Sequence, residues 1–149
     1  MMKKLLKISA FALVLMMLVA AFASCAGPAD DADDARRALI KNDYEVMLVD
    51  DENPVIATLE KEYDLFGLEE YLSAMDNEES AKAENFIMIF YFDEARDAKD
   101  SMEGIEKLIE DMKKDMKAGG LNVDGMDVEF KRSGDVIWWG TPDAVKAAK

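Results

Sequence analysis

The chain has 149 residues, with 32 acidic and 18 basic side chains, one cysteine and no histidine. Every acidic residue follows Ala23, whereas Lys3, Lys4 and Lys7 precede it, so the rest of the chain has 15 basic against 32 acidic residues, a net charge of −17. A surface of that sign repels phosphate backbones, which argues against nucleic acid as a partner. Without histidine and with one cysteine, the chain lacks the usual general base, the usual zinc ligands and any intramolecular disulfide.

The first 24 residues have the composition of a signal peptide. A basic segment over residues 1–7 precedes an apolar run from Ile8 to Phe22, which is followed by the small residues Ala23 and Ser24. That order is typical of an export signal. The apolar run of about 15 residues is shorter than the roughly 20 that a membrane-spanning helix needs. A signal peptide over residues 1–24 is therefore favoured over a permanent transmembrane anchor.

The end of the apolar run, Phe22-Ala23-Ser24-Cys25, resembles the lipobox of bacterial lipoprotein precursors. The resemblance covers the first 25 residues, and Phe22 departs from the leucine that is preferred there. It implies cleavage before Cys25, acylation of that residue (palmitate included), and a place on the extracytoplasmic face of the cell membrane. Two or more acyl chains are enough for stable attachment. The alternative is an ordinary secretory signal followed by an incidental cysteine.

Residues 25–34 are predicted to form a short tether between this lipidated cysteine and one domain over residues 35–149. The tether contains Gly27, Pro28 and an acidic group that begins at Asp30. Carboxylates at a helix N-terminus complement the helix dipole, so the acidic group is interpreted as a solvated helix start. Nine extended residues reach only about 30 Å. We expect the domain to lie close to the membrane, held off it by its own negative charge.

The first half of the domain is predicted to alternate between helices and strands. Tyr44, Val46 and Leu48 recur at a spacing of two, which indicates a half-buried strand. Leu65, Leu72 and their neighbours recur at helical spacing. The predicted elements are a helix over 35–42, a strand over 44–48, a turn over 50–54, a strand over 55–59, a helix over 64–76 and a polar connection over 76–84.

The second half begins with a run over residues 86–92 that is apolar at every position, which predicts the central strand of a sheet. A stripe at alternating spacings of three and four then predicts one long amphipathic helix over 93–118. A hairpin over 126–130 and 136–139 and a last helix over 142–148 complete the prediction. The stripe consists of Ala95, Ala98, Met102, Ile105, Ile109, Met112 and Met116.

These elements predict an α+β fold, a two- or three-layer sandwich. Its sheet is expected to have about five strands, mostly antiparallel, with one long amphipathic helix and shorter flanking helices. Methionines on the stripe are interpreted as core residues rather than as ligands for a soft metal.

The hairpin is predicted to turn at Ser133-Gly134, which places Trp138 opposite Glu129 and directs it away from the main core. One interpretation is that a short helix covers Trp138. The other is that Trp138 joins Val136, Ile89 and Tyr91 in an exposed surface that contacts a partner.

No constellation of residues singles out a catalytic site, a metal site or a cofactor. Asn122, Asp124 and Asp127 have part of the composition of a calcium loop, but the required ligand spacing is missing, so a polar loop is favoured. Many carboxylate pairs are conceivable, and none is distinguished from the others. No phosphate-binding loop or nucleophile elbow is present in the sequence.

The run Trp138-Trp139-Gly140-Thr141-Pro142-Asp143-Ala144 makes the domain similar to small uncharacterised lipoproteins of Gram-positive-type bacteria, a resemblance that carries no activity with it. The leading hypothesis is a non-enzymatic, lipid-anchored domain of the cell envelope that binds another protein or assembles with itself. The second is a small-ligand receptor or transporter accessory with its pocket on one domain. The third is an envelope hydrolase that uses carboxylates.

Overall fold

A computed structural model describes residues 27–76, 84–120 and 122–149 of the chain. It has the predicted α+β class, with an antiparallel sheet between two layers of helices. In chain order the elements are α1 (Ala32–Lys41), β1 (Tyr44–Asp50), α2 (Pro54–Tyr63), β2 (Leu68–Asp76), β3 (Phe86–Phe92), α3 (Ala95–Asp100), α4 (Met102–Ala118), β4 (Glu129–Ser133), β5 (Val136–Gly140) and α5 (Pro142–Ala147).

The sheet has the strand order β1-β2-β3-β5-β4, and every neighbouring pair is antiparallel. All seven residues of β3 are buried, which confirms the predicted central strand. A strand that is apolar at every position needs cover on both faces. The helices supply it: α2, α3 and α4 pack on one face, and α1 and α5 pack on the other.

Local sequence signals explain where most helices begin. The carboxylate of Asp31 accepts a hydrogen bond from the backbone N–H of Asp34 at 3.1 Å and caps α1. The side chain of Asn53 accepts one from the N–H of Val55 at 3.0 Å, and Pro54 follows in the first turn of α2. Side-chain caps of this kind satisfy N–H groups that have no partner within the helix. The last helix, α5, begins at its first-turn proline as predicted.

The prediction of a strand over residues 55–59 is wrong, because this segment belongs to helix α2. The Asn53 cap and the proline after it are a helix-start signal, although the same residues are also typical of a turn. A left-handed residue, Asp64 with φ of 52°, ends the helix.

The prediction of a helix over residues 64–76 is also wrong, because β2 occupies residues 68–76. Tyr71 packs with the layer of α2 to α4, whereas Leu72 and Ala74 pack with the layer of α1 and α5. Since both faces of β2 are covered over much of its length, apolar residues need not alternate with polar ones. The spacing of the apolar residues in β2 therefore resembles that of a helix, although the segment is a strand. The predicted polar connection after β2 lies largely outside the described residues.

The predicted long helix is present as two helices joined at Ser101, which is fully buried. Its hydroxyl accepts a hydrogen bond from the N–H of Phe66 at 2.9 Å, and this bond ties the joint to the chain that enters β2. Along the predicted stripe, Ala98, Ile105 and Ile109 are buried, and the methionines are partly buried and pack against the same core. Ala95 is exposed and does not belong to that core.

The hairpin has the predicted faces but a different register. Phe130 pairs with Trp139 and Lys131 pairs with Trp138, so the predicted pairs are wrong by two residues. The turn lies at Gly134-Asp135, where Gly134 has φ of 59°. Because side chains alternate between faces, a shift of two residues leaves each side chain on its predicted face.

Candidate functional site

The predicted contact surface is buried inside the domain. Trp138, Val136, Ile89 and Tyr91 have exposed fractions of 3%, 2%, 0% and 5%. They pack with α1 and α5, whose small residues approach the sheet closely. The prediction that these residues form an exposed contact surface is therefore wrong. The shorter helices cover them, as the other interpretation of Trp138 has it.

The chain just before α1 adds to this cover. Gly27 lies on the indole of Trp138 so closely that a Cβ atom there would be 2.4 Å from the ring. The N–H of Ala29 donates to the carbonyl of Ala148 at 2.8 Å, and the hydroxyl of Tyr91 donates to the carbonyl of Ala29 at 3.0 Å. The predicted tether is thus packed against the sheet from Gly27 on. Cys25 and the predicted signal peptide lie outside the described residues.

Trp138 is also fixed by a hydrogen bond at its polar end. Its indole N–H donates to Glu129 at 2.9 Å, and the ammonium group of Lys131 lies 3.2 Å from the other oxygen of that carboxylate. Burial alone raises the pKa of Glu129, but these two hydrogen bonds and the positive charge of Lys131 outweigh it. The pKa of Glu129 therefore lies below its ordinary value of 4.5.

A different part of the sheet is open to solvent. A hollow of about 330 Å³ lies over β1, β2 and β3 on the face that carries α2 and α4. We call it the methionine hollow. Its side walls and floor are formed mainly by Met47, Ser73, Met75, Phe86 and Met88, and Glu45 lies at its rim.

Strand register explains the shape of the methionine hollow. Met47 on β1 and Met88 on β3 both pair with Ser73 on β2, so a short side chain lies between two long ones. One step further along, Met75 pairs with Phe86 on β3. Side chains at directly paired positions share a face, so all of these groups point to the same side of the sheet.

The helices cover the other ends of β2 and β3 on this face but leave the hollow open. At the other end of β2, Tyr71 stacks on Phe90 with ring centroids 5.1 Å apart, and burial raises the pKa of Tyr71 to about 12. Within the hollow, Met47 and Met75 have exposed fractions of 53% and 37%, whereas Met88 is buried. The hollow therefore has a fixed floor and two exposed, flexible thioether side chains at its mouth.

The edge of the sheet lies beside the hollow. Among the described residues, β1 pairs only with β2, so its outer edge offers backbone N–H and C=O groups to solvent. Exposed acidic residues flank this edge: Asp43 precedes β1, Glu45 lies within it and Asp50 ends it. An unpaired strand edge can accept a strand from another chain.

Sequence reasoning missed this site because it placed residues 64–76 in a helix, which removed Ser73 and Met75 from the sheet. The alternation of Tyr44, Val46 and Leu48 puts Met47 on the opposite face of its strand, but one exposed apolar side chain is common and does not by itself indicate a contact.

The loop with Asn122, Asp124 and Asp127 has a structural explanation. The N–H of Asp124 donates to the side chain of Asn122 at 3.1 Å, and Lys117 lies 3.9 Å from the Asp124 carboxylate. Across residues 27–76, 84–120 and 122–149, no group of three or more His, Cys, Asp or Glu side chains is placed to hold a metal ion.

In the part of the chain that the structure describes, no helix combines the length and apolar character needed to cross a bilayer. No protein-family model matches the chain, and no curated protein or solved structure matches it.

Proposed function

We propose that this protein is a lipid-anchored domain on the extracytoplasmic face of a bacterial cell membrane, and that it binds another protein without catalysing a reaction. The leader supports the anchor, because basic residues, an apolar run and two small residues precede Cys25, the single cysteine of the chain. The described chain is already packed at Gly27, so acyl chains on Cys25 would hold the folded domain within two residues of the membrane.

The observation that carries the binding role is the methionine hollow beside the unpaired edge of β1. Methionine side chains are flexible and polarisable, and they adapt to varied apolar groups on binding surfaces. A free strand edge supplies backbone hydrogen bonds to an added strand, while neighbouring pockets select its side chains. Here both features occur on one strand, since Met47 on β1 forms part of the hollow.

The occupant that fits best is an extended segment of another protein in which apolar and basic residues alternate. A strand added to β1 would direct every second side chain toward the face that carries the hollow. The basic residues would point to the other face of the sheet, where Asp50 ends β1, and the nearby charges of Asp43 and Glu45 would add attraction along the edge. A second copy of this chain would bring the same acidic residues, which disfavours self-assembly at this edge.

A short peptide of alternating lysine and leucine tests this proposal, with the chain from Cys25 onward as the binding protein. Every residue of the two apolar clusters lies between Ala29 and Ala148, so this chain contains the packed core that the described residues form. We expect the peptide to bind, and we expect peptides of alternating glutamate and leucine or lysine and serine to bind about tenfold more weakly, which corresponds to about 1.4 kcal/mol. Equal binding of the lysine–serine peptide would mean attraction by charge alone and would overturn the proposal.

Two neutral substitutions locate the binding. Met47→Ser removes an exposed methionine from the mouth of the hollow, and Ile40→Ser removes an equally exposed apolar side chain from α1, with exposed fractions of 53% and 51%. We expect only Met47→Ser to weaken binding of the lysine–leucine peptide, again about tenfold. An equal effect of both variants, or an effect of neither, would remove the hollow from consideration as the binding site. A small molecule retained in the hollow through purification would instead favour the small-ligand receptor.

A further inference from the structure

Four basic side chains gather where the described chain begins. They line an open depression of about 770 Å³ together with Gly27 and Trp138. All four are exposed, on the β4–β5 hairpin and at the C-terminal end of the domain. We call this the cationic patch, and its residues are Lys131, Arg132, Lys146 and Lys149.

The patch is locally positive in a chain that is strongly acidic. Glu129 is the one carboxylate side chain among its lining residues, and that carboxylate is engaged by Trp138 and Lys131. In the described part of the chain, the ion pairs that form include Lys131 but not Arg132 or Lys146. Most of the positive charge is therefore available to an external anion.

The acidic residues before α1 lie beside the patch but do not line it. Asp31 acts on the hydroxyl of Tyr91 and on the carboxylate of Glu70, and it raises the pKa of both groups in addition to the larger effect of burial. These groups belong to β2 and β3, whereas the cationic patch lies at β4 and α5. The N–H of Ala29 nevertheless donates to the carbonyl of Ala148 beside Lys149, so the acidic and basic groups adjoin where the chain enters the domain.

We propose that the cationic patch rests on anionic phospholipid head groups of the membrane that holds the anchor. This inference uses the proposed anchor at Cys25. Two extended residues span only about 7 Å, so a chain anchored at Cys25 and packed at Gly27 holds the patch close to the lipid surface. That span is shorter than the Debye length of about 10 Å at 0.1 M salt, so the attraction is not screened out.

This contact would orient the whole domain. The patch lies at the β4 edge of the sheet, and β1 is the opposite edge. Contact of the β4 edge with lipid would direct the β1 edge and the methionine hollow away from the membrane. The acidic β1 edge would then face solution, and the domain would approach the membrane with its cationic patch rather than being held off it by its net charge.

Lysine labelling on vesicles tests the orientation without relying on native acylation. The chain from Cys25 onward is coupled through its single thiol to a maleimide lipid, in vesicles of phosphatidylcholine alone or mixed equally with phosphatidylglycerol. The rate of acetylation of each lysine by an N-hydroxysuccinimide ester is read by mass spectrometry. We expect Lys131, Lys146 and Lys149 to react several-fold more slowly on the anionic vesicles, while Lys61 and Lys107 on the opposite helical layer keep their rates.

Salt and charge reversal provide the controls. Protection should disappear at roughly 0.5 M salt, where the Debye length is shorter than the distance to the head groups. The double variant Lys131→Glu and Lys146→Glu should lose protection of Lys149. Equal rates on both vesicle types, or equal protection of Lys61 and Lys107, would overturn the proposal. If the chain is not acylated in cells but its lysines are still protected when it is coupled to lipid, the proposed anchor at Cys25 is wrong. The attraction between the cationic patch and anionic head groups then still stands.

Discussion

Replacing Trp138 with alanine separates a core residue from a contact residue. The side chain is 3% exposed, lies between the sheet, α5 and Gly27, and donates a hydrogen bond to Glu129. Truncating a large buried aromatic side chain costs about 3 to 5 kcal/mol, because packing is lost and a cavity remains. The carboxylate of Glu129 also loses a donor. We therefore expect a loss of about 4 kcal/mol, a large part of the 5 to 15 kcal/mol typical of a domain.

Urea unfolding of the chain from Cys25 onward measures this loss, and sedimentation measures the mass of the native variant. The structure predicts a lower midpoint of unfolding with the mass unchanged from that of the parent protein. If stability fell by less than about 1 kcal/mol while an oligomer disappeared, Trp138 would be a contact residue and the packing described above would be refuted.

Four further predictions follow from the same packing. Trp138→Phe keeps a buried ring but removes the hydrogen-bond donor to Glu129. Because the pKa of Glu129 is lowered in the folded protein, this hydrogen bond stabilises the fold above pH 4.5, and the stabilisation is lost as the pH falls through the pKa of the folded state. The difference in unfolding free energy between the parent and Trp138→Phe should therefore become smaller in acid. A gap that stayed constant in acid would argue against this hydrogen bond. Gly104→Ala should destabilise by roughly 1 to 3 kcal/mol, because a Cβ would lie 2.1 Å from the carbonyl oxygen of Tyr63, which outweighs the gain of about 1 kcal/mol in helix propensity. Gly119→Ala is the control, because a Cβ there has no contact below 3.5 Å and should change stability by less than about 0.5 kcal/mol. Equal losses of stability in urea for the two glycine variants would refute the close approach of Gly104 to Tyr63. Ile105→Ala at a fully buried position should cost about 2 to 5 kcal/mol in the same assay, and a near-zero effect would mean that α4 is not packed as described.

The parts of the fold that could be predicted from sequence are those with one unambiguous periodicity or cap. Residues 86–92 are apolar at every position, and a run of that length favours a strand covered on both faces, which is what forms. The Ile105 and Ile109 stripe fixes the buried face of α4. The proline after Thr141 marks the start of α5, as predicted.

The error at β2 arose because both faces of the sheet are covered there. On β2, apolar residues alternate between two cores, so the strand has no polar face and its spacing matches a helix. The hairpin faces were predictable because Trp138 and Trp139 alternate, but the register was not. Both turns are compatible with a glycine at position 134, and pairing distinguishes them.

The candidate site was less predictable than the fold. The methionine hollow depends on Met47, Ser73 and Met88 being paired across three strands, and that pairing joins residues far apart in the chain. The burial of Trp138 depends on Gly27, a tether residue in the sequence analysis, lying on the indole ring. Sequence periodicity describes one helix or strand at a time, so it predicts neither the pairing across three strands nor the contact between Gly27 and Trp138.

The intact mass of the full chain, expressed in a bacterium and extracted from its membranes, tests the proposed anchor most directly. We predict a mature protein that begins at Cys25 and whose mass exceeds that of residues 25–149 by a lipid modification, with fragmentation placing the added mass on Cys25. Cys25→Ser should abolish the added mass and move the protein out of the membrane fraction. An unmodified mature protein, or a Cys25→Ser variant that remains in the membrane fraction at the parent level with its leader removed, would contradict the account.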